Sequence, residues 1–164
     1  MHFETDHEFA AEPSAVADLF CDPTFQTALD LPDLSRPDVV THTVDGSRRV
    51  LALRYAYTGQ LDGIAQKIVG NRALTWVQEL RFDTATGTGT ISYSVDGDAG
   101  RLQGEGQVEI TALGPGRSRR HIAGDLQVRI PIVGGRAEKA IVPGLVRRIG
   151  VEADALAAEL ARRS

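Results

Sequence analysis

The chain has 164 residues, of which 42% are hydrophobic and 24% are charged, as in an ordinary globular protein. Its net charge of −4 gives no basic field that would gather nucleic acid, and no apolar run is long enough to span a bilayer. The start lacks the basic end and apolar run of a signal peptide, and the single cysteine excludes an intrachain disulfide. We therefore expect one domain over residues 1–164, in the cytoplasm, with no nucleic-acid partner and no integral membrane segment.

The first 30 residues predict a strand followed by two short helices. Residues 3–9 alternate, and Phe3, Thr5, His7 and Phe9 share one face, which is the period of a strand with one wet face. Pro13 suits the first turn of a helix, and Asp22 before Pro23 is a typical N-cap for a second helix over residues 24–29.

Six more strands are predicted, over residues 38–44, 48–57, 74–82, 88–95, 102–113 and 119–130. Turn sequences such as Asp45-Gly46 and Asp96-Gly97 separate them, because glycine adopts the positive φ that hairpin turns need. Short connections favour an antiparallel meander, and the alternation within the strands predicts one covered face. A short extra helix is predicted near residues 61–69.

The tail, residues 133–164, predicts a long amphipathic helix that covers the apolar face of the sheet. Apolar residues recur at helical spacing from Ala137 to Leu160, and Glu152 falls within the same stripe. Pro143-Gly144 interrupts the pattern, so we expect either a kink there or two successive helices.

Two segments, residues 124–139 (GDLQVRIPIVGGRAEK) and 65–70 (AQKIVG), carry a family resemblance. With the order β-α-α-β-β-β-β-β-β-α, the chain resembles the START-like superfamily of polyketide cyclases and lipid-transfer domains. Within it, the chain is similar to an uncharacterised, mainly actinobacterial family of unknown function. The resemblance implies an α+β helix-grip fold, in which a seven-stranded curved antiparallel sheet wraps around a long C-terminal helix. It also implies a hydrophobic cavity between sheet and helix, and it transfers no catalytic residue.

Inward-facing polar and aromatic side chains are the best candidates for ligand binding. They share the apolar faces of the predicted strands, and they are His7, Tyr55, Tyr57, Trp76, Gln78 and Tyr93. A cavity with a few convergent polar groups is typical of a ligand site. The alternative is that they reach the rim of the sheet or hydrogen-bond to each other under the helix, and that His7 is a core histidine with one hydrogen bond. Gly104 and Gly106, also inward, mark either a bend in the sheet or a close approach of the helix or a ligand.

Other chemistry finds little support in the sequence. The four histidines have no zinc-ligand spacing, so we expect no metal, and no cofactor or catalytic motif is present. The basic clusters, including residues 117–120, are interpreted as solvated faces. The favoured function is binding of a small hydrophobic or lipid-like molecule. Two alternatives stay open: a cyclase or dehydratase that uses His7, Tyr55 or Gln78 as acid/base or orienting groups, and a protein-interaction module without a ligand.

Overall fold

The structure, a computed structural model, describes residues 1–64, 66, 70, 72–97 and 100–164. The strands are β1 (His2–Phe9), β2 (Asp38–Asp45), β3 (Arg48–Ala56), β4 (Thr75–Asp83), β5 (Thr88–Val95), β6 (Leu102–Gly114) and β7 (Arg117–Val128). The helices are α1 (Pro13–Phe20), α2 (Pro23–Ala28) and α3 (Gly134–Arg163). Asp22 caps α2 as predicted, since its Oδ1 accepts a hydrogen bond from the Thr24 backbone N–H at 2.8 Å. The extra helix predicted near residues 61–69 falls partly outside the described residues.

All seven strands form one curved antiparallel sheet in the order β1-β7-β6-β5-β4-β3-β2. Strands β2 to β7 run as the predicted meander, and β1 pairs with β7, with Phe3 opposite Gly124. This order leaves β1 and β2 at the two edges. The predicted α+β helix-grip architecture is confirmed.

Burial follows the predicted alternation in most strands. In β6 every second residue from Leu102 to Ile110 is buried, and in β7 the buried positions run from Ser118 through Arg120 to Val128. Strand β2 is the exception, because all eight of its residues are exposed. It lies at an edge, and among the helices it packs mainly against α2. The prediction that every strand has one covered face is therefore wrong for β2.

Helix α3 runs without interruption from Gly134 to Arg163, with Pro143 inside it. The expectation of two successive helices at Pro143 is not met. The proline lies on the exposed side, while the neighbouring Val142 is buried against the sheet, so packing on both sides of the proline holds the helix together. The helix packs on β1, β7 and α1. No helix among the described ranges is long and apolar enough to cross a membrane.

The inward glycines let protein groups approach each other closely. A Cβ on Gly104 would lie 3.0 Å from Cδ2 of Tyr93, and a Cβ on Gly106 would lie 2.9 Å from the carbonyl oxygen of Ala123. The Tyr93 ring thus rests on β6 at Gly104, its partner across the β5–β6 ladder. The space left by these glycines is filled by the sheet itself.

Candidate ligand-binding cavity

A cavity of about 320 Å³ lies between the inward face of the sheet and α3. One wall is built by side chains of β3 to β7, and the other by α3 from Ala137 to Glu152. Phe20 of α1, the loop of residues 31–34 and several residues between 57 and 64 complete the lining. Gln60, Asp62 and Arg147 are exposed lining residues, so they mark the end of the cavity that faces solvent.

Five of the six predicted ligand-binding residues line this cavity, namely Tyr55, Tyr57, Trp76, Gln78 and Tyr93. Strand register explains why they come together. Tyr55 lies opposite Trp76 across the β3–β4 ladder, and Gln78 lies opposite Tyr93 across the β4–β5 ladder. The rings of Tyr55 and Trp76 are stacked, with centroids 5.9 Å apart. Side chains at paired positions project from the same face of a sheet, so alternation alone gathers these five.

The sixth residue, His7, does not line the cavity. It points inward from β1, as predicted, but β1 is an edge strand, and the ladder partner of His7 is Arg120 of β7. Its Nδ1 is buried and has no hydrogen-bond partner in the described part of the chain. Burial lowers the pKa of His7, and the positive charge of Arg120 lowers it further. His7 is therefore a neutral, half-buried histidine at pH 7, and its buried Nδ1 lacks the hydrogen bond expected of a core histidine.

A buried ion pair beside the cavity was not predicted. Arg120 of β7 is 0% exposed and pairs with the carboxylate of Glu152 on α3, which lines the cavity. The guanidinium carbon lies 4.8 Å from the centroid of the Phe20 ring, within the range of a cation–π interaction. The Gln26 amide donates to the second carboxylate oxygen of Glu152 at 3.2 Å and to the Phe20 carbonyl at 3.0 Å.

The interpretation of residues 117–120 as a solvated cluster is thus wrong at Arg120. Alternation in β7 was the available signal, because Ser118, Arg120 and Ile122 share one face, and Ser118 and Ile122 are also buried. The second signal was the glutamate inside the apolar stripe of the tail. A charge at an inward position of one element predicts an opposite charge on the element that covers it.

Burial raises the pKa of the Tyr55 and Tyr93 hydroxyls, and the carboxylate of Glu152 raises both further. Both side chains therefore remain protonated and can donate a hydrogen bond. The Tyr93 hydroxyl is enclosed by protein and has no hydrogen-bond partner among the described residues. A buried hydroxyl without a partner is unusual in folded proteins.

The solvent end of the cavity is tied by a residue of α3. Nε of Arg148 donates a hydrogen bond of 3.1 Å to the carbonyl oxygen of Pro32, and its guanidinium carbon lies 5.8 Å from the centroid of the Tyr57 ring. The loop is also held by the Thr58 N–H, which donates to the Asp33 carbonyl at 2.8 Å. Arg148 thus connects the helix to the loop at the cavity entrance.

One cluster of metal-ligand type lies outside the cavity, on the opposite face of the sheet. Glu4, Asp6 and His121 bring one ligand atom each within 4.8 Å of one another. The Asp6 carboxylate is already paired with Arg119 and lies 3.0 Å from Nδ1 of His121. These surface ion pairs account for the cluster.

The model of a family described as "Protein of unknown function (DUF2505)" matches residues 4–159. A comparison with curated proteins finds no match. Similar solved structures include a protein of Thermus thermophilus, at 17% identity and a TM-score of 0.70, with 100% of this chain and 99% of the other covered.

Two further similar structures are those of an aromatase/cyclase and of a START superfamily protein. The Zhui aromatase/cyclase of Streptomyces sp. R1128 is 16% identical, with a TM-score of 0.69 and coverage of 99% of this chain and 94% of the other. A START superfamily protein of Mycobacterium smegmatis is 14% identical, with a TM-score of 0.55 and coverage of 99% of both chains. At these identities the likeness concerns the fold, and the predicted START-like resemblance is confirmed at that level.

Proposed function

We propose that this chain, which belongs to the DUF2505 family of proteins of unknown function, binds a small, largely apolar molecule in the cavity between its sheet and α3. The observation that carries the proposal is the cavity itself: about 320 Å³, lined mainly by aliphatic and aromatic side chains with a few polar groups among them. Known ligand pockets have this composition and begin at about this volume. In this proposal residues 1–164 act as one START-like domain.

The lining supports a ligand of modest size with apolar character. Trp76 and Tyr55 present a stacked aromatic surface, and α3 contributes aliphatic side chains such as Ile141 and Leu145. Burial of apolar surface contributes about 25 cal/mol per Å², so a molecule that fills such a cavity gains affinity without any charged contact.

The enzymatic alternative has less support. Aromatase/cyclases share this fold, and that alternative assigned acid/base or orienting roles to His7, Tyr55 and Gln78. His7 lies away from the cavity lining, and no hydrogen bond joins any two of these three side chains in the described part of the chain. Their arrangement favours binding over proton transfer.

Two experiments test the proposal. The first is mass spectrometry of an organic extract of the purified protein, which should release a co-purifying small molecule. The second is a titration with 2-isopropenylnaphthalene, a neutral apolar probe, followed by the fluorescence of Trp76, the one tryptophan of the chain. Saturable quenching is the expected result. Failure of both experiments would overturn the proposal.

A matched pair of variants locates the binding. Gly144 lines the cavity, and a Cβ added there would meet only the end of the Arg148 side chain, at 3.3 Å. Gly144→Leu should therefore place its side chain in the cavity and abolish quenching. The control is Gly150→Leu on the same helix, because a Cβ at Gly150 has no neighbour within 4 Å. It should bind like the wild type, and equal loss in both variants would argue against this cavity.

A further inference from the structure

Three polar side chains gather on the sheet wall of the cavity, on neighbouring strands. They are Tyr55 on β3, Gln78 on β4 and Tyr93 on β5. Gln78 is directly opposite Tyr93, and Tyr55 is opposite Trp76, two residues before Gln78. Diagonal neighbours in a sheet are about 7–8 Å apart, within reach of long side chains. The Tyr55 hydroxyl and the Gln78 amide can therefore converge on one small part of a ligand, while the Tyr93 hydroxyl is enclosed by protein.

None of the three side chains hydrogen-bonds to another group in the part of the chain that the structure describes. Two charged residues of the cavity lining differ in this respect. Glu152 is paired with Arg120 and Gln26, and Arg148 is bonded to the Pro32 carbonyl. Tyr55 and Gln78 thus offer unpaired hydrogen-bonding groups on the sheet wall, and Tyr93 offers an enclosed one.

A purely apolar ligand would remove water from the Tyr55 hydroxyl and the Gln78 amide and give nothing in return. Each polar group that loses its partner in a buried site weakens binding about five- to a hundredfold. A tyrosine hydroxyl and a glutamine amide can both donate to a single oxygen acceptor. The nearby Glu152 carboxylate is paired with Arg120, so this pair has no net charge to offer, and an anionic ligand would lose its hydration there without compensation.

Building on the proposed function, we infer that the natural ligand carries a neutral carbonyl group, whose oxygen accepts hydrogen bonds from the Tyr55 hydroxyl and the Gln78 amide. The rest of the ligand is apolar and lies against Trp76 and the aliphatic side chains of α3. The ligand class is therefore an apolar ketone, ester or amide, and neither a hydrocarbon nor a fatty acid.

The test compares three probes of nearly equal shape by equilibrium dialysis. They are 2-acetylnaphthalene, 2-isopropenylnaphthalene, in which a methylene replaces the carbonyl oxygen, and the anion 2-naphthoate. The wild type should bind the ketone about 25-fold more tightly than the alkene, since each of the two net hydrogen bonds contributes about a factor of five. The naphthoate should bind no more tightly than the alkene.

Variants assign the preference to residues. Tyr55→Phe and Gln78→Met should each lower the ratio of ketone to alkene affinity about fivefold while leaving alkene binding in place. The control is Gln107→Met, an exposed glutamine on the outer face of β6, which should keep the wild-type ratio. Circular dichroism of each variant checks that it is folded.

The outcomes distinguish a failure of the carbonyl inference from a failure of the proposed function. If the alkene binds but the ketone has no advantage, or if the advantage survives in both variants, the carbonyl inference is wrong and the proposed function stands. If naphthoate binds best, the ligand is an acid and the inference is equally wrong. If none of the probes binds and no molecule co-purifies, the proposed function fails with it.

Discussion

Arg120 and Glu152 form an ion pair inside the protein, joining the last strand of the sheet to the helix that covers it. Both residues are buried, so each charge is stabilised mainly by the other. A single pair thus fixes a point of α3 against β7, at the place where the cavity begins. The Gln26 amide donates a hydrogen bond to Glu152 and so connects α2 to the same pair.

Removing one member of this pair should be costly. Arg120→Leu leaves the Glu152 carboxylate buried and uncompensated, and such a change typically lowers the free energy of unfolding by about 3–5 kcal/mol. The double variant Arg120→Leu/Glu152→Leu removes both charges and should recover most of that loss, since apolar residues often replace a buried pair without penalty. Urea denaturation of the three proteins gives the free energies.

The neighbouring residue supplies the control. Arg119 is exposed on the outer face and pairs with the exposed Asp6, so Arg119→Leu should change the free energy of unfolding by less than about 1 kcal/mol. An Arg120→Leu protein as stable as Arg119→Leu would show that the Glu152 carboxylate does not need Arg120 to compensate its charge. A double variant no more stable than Arg120→Leu would show that apolar side chains cannot replace the ion pair at this site.

The sheet could be predicted from the sequence because alternation and turn glycines are local signals. Residues 88–95 were bounded correctly, and the other strands were placed within two residues at each end. Edge position is not a local property, and this is why the full exposure of β2 was missed. Tertiary packing likewise overrides proline, so α3 continues through Pro143.

The cavity residues of the sheet could also be predicted from the alternation within the strands. Tyr55, Gln78 and Tyr93 share a face by their parity within strands that were placed correctly. His7 has the right parity but lies on β1, and only the pairing of β1 with β7 removes it from the cavity. Pairing between the first and last strands is a long-range contact, which a pattern of residues does not reveal.

His7 should make stability dependent on pH in a defined window. Its pKa is lowered in the folded protein by burial first and by Arg120 next, against opposing effects of Glu152, Asp154 and Asp6. The unfolded chain therefore binds a proton at higher pH than the folded one, so stability is lost as pH falls below the ordinary value of 6.5. Thermal denaturation midpoints between pH 7.5 and 5 should fall in the wild type and fall less in His7→Gln.

The control for this experiment is a histidine that is exposed to solvent. His42 is exposed on β2, so His42→Gln should keep the wild-type pH profile. Measurements stop at about pH 5 because ordinary carboxylates begin to bind protons below it. Identical profiles for wild type and His7→Gln would contradict the burial of a neutral His7.

Tyr93→Phe should stabilise the ligand-free protein. The Tyr93 hydroxyl is enclosed without a partner, and removing an unsatisfied buried polar group while keeping the ring is expected to raise the free energy of unfolding by about 1 kcal/mol. Urea denaturation provides the measurement. The control Tyr57→Phe, on a half-buried ring, should change stability by less than about 0.5 kcal/mol. A loss of stability in Tyr93→Phe would mean that the hydroxyl has a partner in solution.

Arg148 should control the mobility of the loop at the cavity entrance. Its hydrogen bond to the Pro32 carbonyl connects α3 to residues 31–34. In Arg148→Met the methionine side chain keeps the apolar packing of the helix, but the hydrogen bond is lost. Amide hydrogen exchange of residues 31–36 should become faster in this variant, by about fivefold for one hydrogen bond of about 1 kcal/mol. Arg136→Met, on the exposed start of the same helix, should leave that exchange unchanged.

Because exchange is measured without a ligand, it tests the entrance contact independently of the proposed function. Protection that is unchanged in Arg148→Met would mean that backbone bonds such as that from Thr58 to Asp33 suffice to hold the loop.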